Sequence, residues 1–130
     1  MTMTVDRCLG MRIYLASPYS HPDPKVREGR FKAVCMAAGR LLKAGHLVYS
    51  PIAHTHPIAM VCNLPTAWAF WKRLDKAAIE QHDVVAVLEL PGWGDSHGIE
   101  AEVAYAQKQG KYIIFLEPTD AEIDAAEGKD

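Results

Sequence analysis

Asp83-Val84-Val85-Ala86-Val87-Leu88 runs into the glycine-rich loop Pro91-Gly92-Trp93-Gly94-Asp95-Ser96-His97-Gly98. Five apolar residues with no polar alternation fit a strand covered on both faces, as a parallel sheet requires. Parallel strands need crossovers, and helical patterns flank this run on both sides. Downstream, a helix is expected over Ile99 to Gln109, stopped by Gly110. The strand Tyr112 to Leu116 follows and ends before Pro118; Thr119 and Glu122 then have capping-box spacing for a short last helix. Upstream, Thr66 to Gln81 reads as a helix whose apolar face is Trp68, Trp71, Leu74, Ala78 and Ile79.

Further upstream, Arg12 to Ala16 reads as a strand that Ser17-Pro18 turns into a loop. Lys25 to Ala44 has helical period, with Phe31, Val34, Cys35, Ala38, Leu41 and Leu42 on one stripe and Gly45 as its stop. Arg27, Arg30, Lys32 and Arg40 fall mostly off that stripe. His46 to Ser50 reads as a strand closed by Pro51. Ile52 to Pro65 reads as a long connection holding His54 and His56. The order β-α-β-α-β-α-β with a final helix predicts an α/β fold: a three-layer, doubly wound, flavodoxin- or Rossmann-like parallel sheet of four to five strands, helices on both faces. Ligands of such sheets bind beyond the carboxyl ends of the strands. Ala16, Ser50, Leu88 and Leu116 therefore mark where function is expected.

The chain has 130 residues, 49% of them apolar, and a formal charge of −2. That suits one globular domain, placed at residues 11–127, and excludes wholesale disorder. Residues 1–10 are expected to be a flexible extension, with Met11 opening the ordered pattern. No basic field points to a nucleic-acid polymer. No run approaches the roughly 20 apolar residues of a membrane span, and the first residues lack the apolar core of a signal peptide. Three scattered cysteines argue against a disulfide framework and for a reducing, cytoplasmic setting.

Several residues could carry chemistry. The loop Gly92 to Gly98 leads into a helix N-terminus, whose free N–H groups suit an anion; a plain glycine turn with an N-cap explains it equally. Ser96 would add a hydroxyl. Glu100 and Glu102 lie at the start of that helix, where the dipole alone favours acids. Asp75 sits on an otherwise apolar helix face and needs a reason to be there, the plain one being a salt bridge with Lys72 or Arg73. Two carboxylates beside a pocket suit glycosidic cleavage, one at the anomeric carbon and one at the leaving group's proton. Tyr14 reads as core with a hydroxyl in need of a partner. Trp93 is a candidate for stacking on a base or closing the pocket. His54-Thr55-His56, read as extended, puts both imidazoles on one side. They line a pocket, or less readily hold a metal, since no third ligand has telling spacing. No G-x-S-x-G elbow supports a serine hydrolase through Ser17, His54 and Asp75.

Taken together, these pieces resemble the nucleoside 2-deoxyribosyltransferase superfamily, over Arg12 to about Pro118. Ile13-Tyr14-Leu15-Ala16-Ser17-Pro18 resembles its opening strand and small-residue loop. Asp75, eight residues before Asp83, resembles its helix aspartate. Ser96-His97-Gly98-Ile99-Glu100-Ala101-Glu102-Val103-Ala104-Tyr105-Ala106, then Gly110-Lys111, resembles its most specific motif. The segment Ser50 to Ile58, with Trp71, Asp75 and Leu90 to Trp93, also looks like a compact, uncharacterised bacterial branch.

The resemblance implies that Glu102 is the nucleophile, Tyr14 orients it and Asp75 assists protonation of the departing base. It implies no cofactor and no resident metal, and a homodimer or homotetramer whose subunits complete one another's pockets. Ser17, Tyr19, Ser96, His97, Gly98, Trp93, His54 and His56 are the expected substrate or phosphate contacts. Transferases of the superfamily often carry an aspartate where Ser96 stands, whereas its nucleotide N-hydrolase branch holds a 5′-phosphate with serines. Hydrolysis of a nucleoside 5′-monophosphate is thus the first expectation, ahead of base exchange on a nucleoside. A non-catalytic nucleotide-binding module and a metal-dependent hydrolase using the His-Thr-His segment are the alternatives. The nucleophile's role further predicts a low pKa for Glu102 and a raised one for Asp75.

Overall fold

The computed structural model describes residues 3–129. Its four strands are β1 (Arg12–Ala16), β2 (Leu47–Tyr49), β3 (Val84–Leu88) and β4 (Tyr112–Leu116). They form one all-parallel sheet in the order β2-β1-β3-β4. The helices are α1 (Pro24–Lys43), α2 (Pro51–Cys62), α3 (Trp68–Glu80), α4 (His97–Lys108) and α5 (Asp120–Ala126). The expected three-layer α/β architecture is therefore present.

Two-residue alternation assigns each strand's side chains to the layers. Ile13 and Leu15 of β1, with Val84, Ala86 and Leu88 of β3, face α1, meeting Ala33, Val34, Ala37 and Leu41. Tyr14, Ala16, Val85 and Val87 face the other way, against Ile79 of α3 and Ile99 and Ala106 of α4. All five β3 residues are buried, as the unbroken apolar run requires. The chain goes from β1 out to β2 on one side and returns past β1 to β3 on the other, so the order reverses between β1 and β3 and the crevice opens beyond their ends.

Four expectations need correction. Residues 3–10 are not a loose extension. Val5–Cys8 forms a 3-10 turn, Cys8 is fully buried, and Met3 and Val5 pack on the α1-side core. Met1 and Thr2 lie outside the described residues. The stretch expected as a long connection is helix α2: Ser50 accepts a hydrogen bond from the Ala53 N–H, and Pro51 takes the first helical position. Pro57 sits inside α2, and the helix stops at Asn63 in a left-handed conformation (φ 53°). The buried stripe of α1 is Gly29, Ala33, Val34, Ala37 and Leu41; Leu42 is exposed and Cys35 only partly covered. Small residues win that face because α5 packs closely: a Cβ on Gly29 would stand 2.5 Å from the Ala125 carbonyl oxygen. On α3 the buried residues are Asp75 and Ile79, while Leu74 is exposed.

Candidate active site

A cavity of about 600 Å³ fills the crevice at the ends of β1 and β3. Its walls come from the loop after β1, from α2 and α3, and from the loop that leads into α4. Glu102 is carried in by α4 and is nearly fully buried, whereas Glu100 is exposed. The two-residue step, roughly 200° around the helix, rotates Glu102 onto the sheet side. Tyr14, wholly buried on β1, donates its hydroxyl hydrogen to Glu102 Oε2 in a short hydrogen bond. Asp75 reaches the same cavity from α3. It has no salt bridge with Lys72 or Arg73, both of which are exposed. Its Oδ1 is buried without a hydrogen-bond partner.

Burial dominates the acid–base character of this cluster. It pushes the Asp75 carboxyl up to about 7, as expected. It also pushes Glu102 up to about 8, against the expectation of a low value. Loss of water around the enclosed carboxyl is the largest cause; the Tyr14 hydrogen bond pulls Glu102 back down without cancelling it, and the Asp75 charge adds to the rise. The Tyr14 hydroxyl is itself raised well above its ordinary value, chiefly by burial and then by the Glu102 charge. Two acids in one dry cavity hold protons at neutral pH more readily than surface carboxyls do.

The other expected contacts divide. Ser17, Tyr19, Ser96, His97 and Gly98 line the cavity. Ser17 Oγ itself is buried without a hydrogen-bond partner. Ser96 caps α4, accepting from the Ile99 N–H at 3.2 Å, so the N-cap reading of this loop holds at the same position that borders the cavity. A Cβ on Gly98 would lie 3.9 Å from Glu102 Oε1, which puts the α4 N-terminus beside the carboxyl.

Trp93 is not a wall residue. It packs against Phe115 and the α4-side core. His54 and His56 do not share a side, because a helix turns residues two apart away from each other. His54 is exposed. His56 is buried and joins Tyr19 to Glu28. Among the described residues, no group of three or more His, Cys, Asp or Glu side chains stands together as a metal site would require. No helix among them is long and apolar enough to cross a membrane.

Sequence reasoning missed Arg30, Thr55, Trp68, Trp71 and Asp95 as wall residues. Arg30 looked like part of a solvated helix face. It is half-buried, donates to the Ser20 carbonyl at 3.0 Å, and is the cationic side chain among the wall residues. Gly92 makes room for it. At φ 93°, a Cβ there would stand 2.8 Å from an Arg30 terminal nitrogen. Trp68 and Trp71 looked like core, but both are only partly buried and line the cavity from the first turn of α3. The Trp71 indole N–H is tied to the Pro65 carbonyl at 2.7 Å.

No curated protein matches the chain significantly. Residues 11–117, most of the chain and all four strands, match the family described as a domain of unknown function, DUF1937, and the protein belongs to that family.

Proposed function

We propose that this protein cleaves the N-glycosidic bond of a nucleoside 5′-monophosphate or nucleoside, using Glu102 as nucleophile. The observation that carries this reading is the buried Tyr14–Glu102 hydrogen bond in one cavity with Asp75. The likeness of the same residues to the nucleoside 2-deoxyribosyltransferase superfamily supports it independently. Near neutral pH the two acids share about one proton between them. With Glu102 the higher of the two, that proton rests mainly on Glu102 in the unliganded site; the reaction uses the other arrangement, with charge on Glu102 and the proton on Asp75, toward which the Tyr14 hydrogen bond works.

In that arrangement the Glu102 carboxylate attacks the anomeric carbon. The carbon–nitrogen bond breaks, its electron pair goes to the base, and Asp75 delivers its proton to the base nitrogen. Water then attacks the same carbon, gives a proton to Asp75 and releases Glu102. A second base in place of water gives exchange instead. Trp68 and Trp71 offer aromatic faces to a planar base, and Arg30 with the α4 N-terminus offers donors to a phosphate. Ile58, Met60 and Val61 on α2 and Phe70 and Leu74 on α3 are exposed apolar side chains. They favour burial against a second copy, as in a dimer or tetramer.

The test is a product screen. Ribo- and deoxyribonucleosides and their 5′-monophosphates are incubated with the protein, and free base is sought by chromatography. Release of base from one or a few monophosphates, lost in Glu102→Gln, is the expected outcome. The second reading is a nucleotide-binding module without turnover. It is favoured by the pKa of about 8 at Glu102, which keeps the unliganded carboxyl mostly neutral at pH 7. Thermal shifts with panel members but no free base would select it, and neither signal would refute both.

A further inference from the structure

Beside the carboxyl cluster lies a second polar chain that the proposed reaction does not use. Tyr19, in the loop after β1, lines the cavity. Its Oη stands 2.6 Å from His56 Nδ1, and His56 Nε2 stands 2.7 Å from Glu28 Oε2. Three segments meet here: the loop, α2 through His56, and α1 through Glu28. The imidazole is only 4% exposed. Phe31, one turn after Glu28, stacks on it with centroids 4.3 Å apart, and the Tyr19 ring meets it edge-on at 5.5 Å. A ring stacked on Phe31, met edge-on by Tyr19 and bonded at both nitrogens has one orientation.

The direction of the hydrogen bonds follows from what each group can do. A carboxylate only accepts, so His56 Nε2 carries the hydrogen that Glu28 receives. Nδ1 of the neutral ring is then a lone pair, and the Tyr19 O–H donates to it. The hydroxyl hydrogen is committed to His56, which leaves the oxygen of this wall residue with only lone pairs to offer, as an acceptor. Arg27, the nearby cation, gives Nη1 to the carbonyls of His21 and Pro22, and its guanidinium beside the Tyr19 hydroxyl partly offsets the rise in pKa that burial gives the phenol.

We infer that Glu28, through His56, locks the Tyr19 hydroxyl as a hydrogen-bond acceptor, so that the cavity selects ligands presenting a hydroxyl or amino donor at that wall. Tyr19 is the contact; His56 and Glu28 are positioning residues. The choice of nucleotide probes rests on the proposed function, but the direction of the chain does not.

Two measurements test it. Nitrogen-15 NMR of the full chain, with the His56 signal assigned by its loss in His56→Gln, reads the tautomer directly. A neutral ring protonated at Nε2 is expected, and Glu28→Gln should loosen that preference. A hydrogen on Nδ1, or two exchanging tautomers in the parent protein, overturns the inference. Calorimetry in the Glu102→Gln background then compares the tightest-binding ribonucleoside 5′-monophosphate with analogues lacking the 2′-hydroxyl, the 3′-hydroxyl or the exocyclic amino group. One deletion should weaken binding roughly 3- to 10-fold, the effect of one neutral hydrogen bond, and the same deletion should have no effect in Tyr19→Phe. His56→Leu, which keeps an apolar filler against Phe31, should remove that discrimination too. Equal losses with and without the Tyr19 hydroxyl overturn the selection. If no nucleotide binds, the nucleotide reading falls, while the tautomer still decides the direction of the chain.

Discussion

Replacing Glu102 with Gln keeps the shape of the side chain and removes its ability to ionise. In the parent protein, Glu102 has an ordinary value of 4.5 when unfolded and about 8 when folded. The sign follows from linkage. The folded state holds the proton more tightly, so stability is greatest below pH 4.5 and is lost as pH rises through 8. The full span corresponds to nearly 5 kcal/mol, at ~1.4 kcal/mol per tenfold change. Between pH 5 and pH 8 the loss is about 3 kcal/mol from this group. Glu102→Gln has no such term, so its stability relative to the parent should rise by about that amount over the same interval. Urea unfolding at pH 5, 6, 7 and 8 reads this as a divergence of midpoints, by roughly 1.5 M at typical slopes. Any fixed effect of the amide on the Tyr14 bond drops out, because only the change with pH is used. Parallel curves for the two proteins would refute the claim that Glu102 is enclosed strongly enough to hold its proton at neutral pH.

Three further outcomes are expected. Tyr14→Phe removes the donor that pulls Glu102 downward, so the carboxyl should titrate higher still; any base-releasing activity should fall about 10-fold or more at pH 7, with its rising limb displaced to higher pH. Arg30→Ala should raise KM for monophosphates about 10-fold or more and leave unphosphorylated nucleosides unchanged, as steady-state kinetics would show. Gly29→Ala should destabilise the fold by about 1–3 kcal/mol in urea unfolding, because its methyl meets the Ala125 carbonyl and must push α5 away from α1.

The parallel sheet was legible because burial on both faces leaves a direct mark: β3 has no polar residue to alternate. Tyr14, Asp75 and Glu102 were legible as a set only through their resemblance to the superfamily's motifs; the residue pattern alone left Glu100 and Glu102 both open and read Tyr14 as core. Helix α2 was not. Ser50-Pro51 is a sound helix start, but Pro57 and the histidines around it read as a breaker and a loop. A proline six positions into a helix removes one internal bond, and packing on α1 and β1 offsets that. The pKa of Glu102 was not legible either. Sequence showed a tyrosine partner, whereas the degree of enclosure comes from Ile99, Ala106 and the strands, assembled from across the chain. Arg30 escaped for the same reason: its environment is made by Gly92, sixty-two residues away.

Two of the four buried side-chain polar atoms left without a hydrogen-bond partner among the described residues belong to the cavity wall. Ser17 Oγ and Asp75 Oδ1 are buried without partners, and both border the cavity. Glu102 is fully enclosed with only Tyr14 to stabilise its charge. Elsewhere, buried acids are fully matched. Glu122, only 2% exposed, receives two hydrogen bonds from Arg40 and closes the capping box with Thr119. The fold thus satisfies a buried carboxylate where it has a purely structural task. It leaves Asp75 half-satisfied, at a cost of order 1–3 kcal/mol for an unmet polar group. A cavity of about 600 Å³ next to those residues has the volume to receive a nucleotide-sized molecule. The other two unpaired buried atoms among the described residues, Arg27 Nε and His46 Nδ1, belong to residues outside this cavity's wall, so an unmet polar atom alone does not mark the site; the closeness of Asp75 to the enclosed Glu102 does.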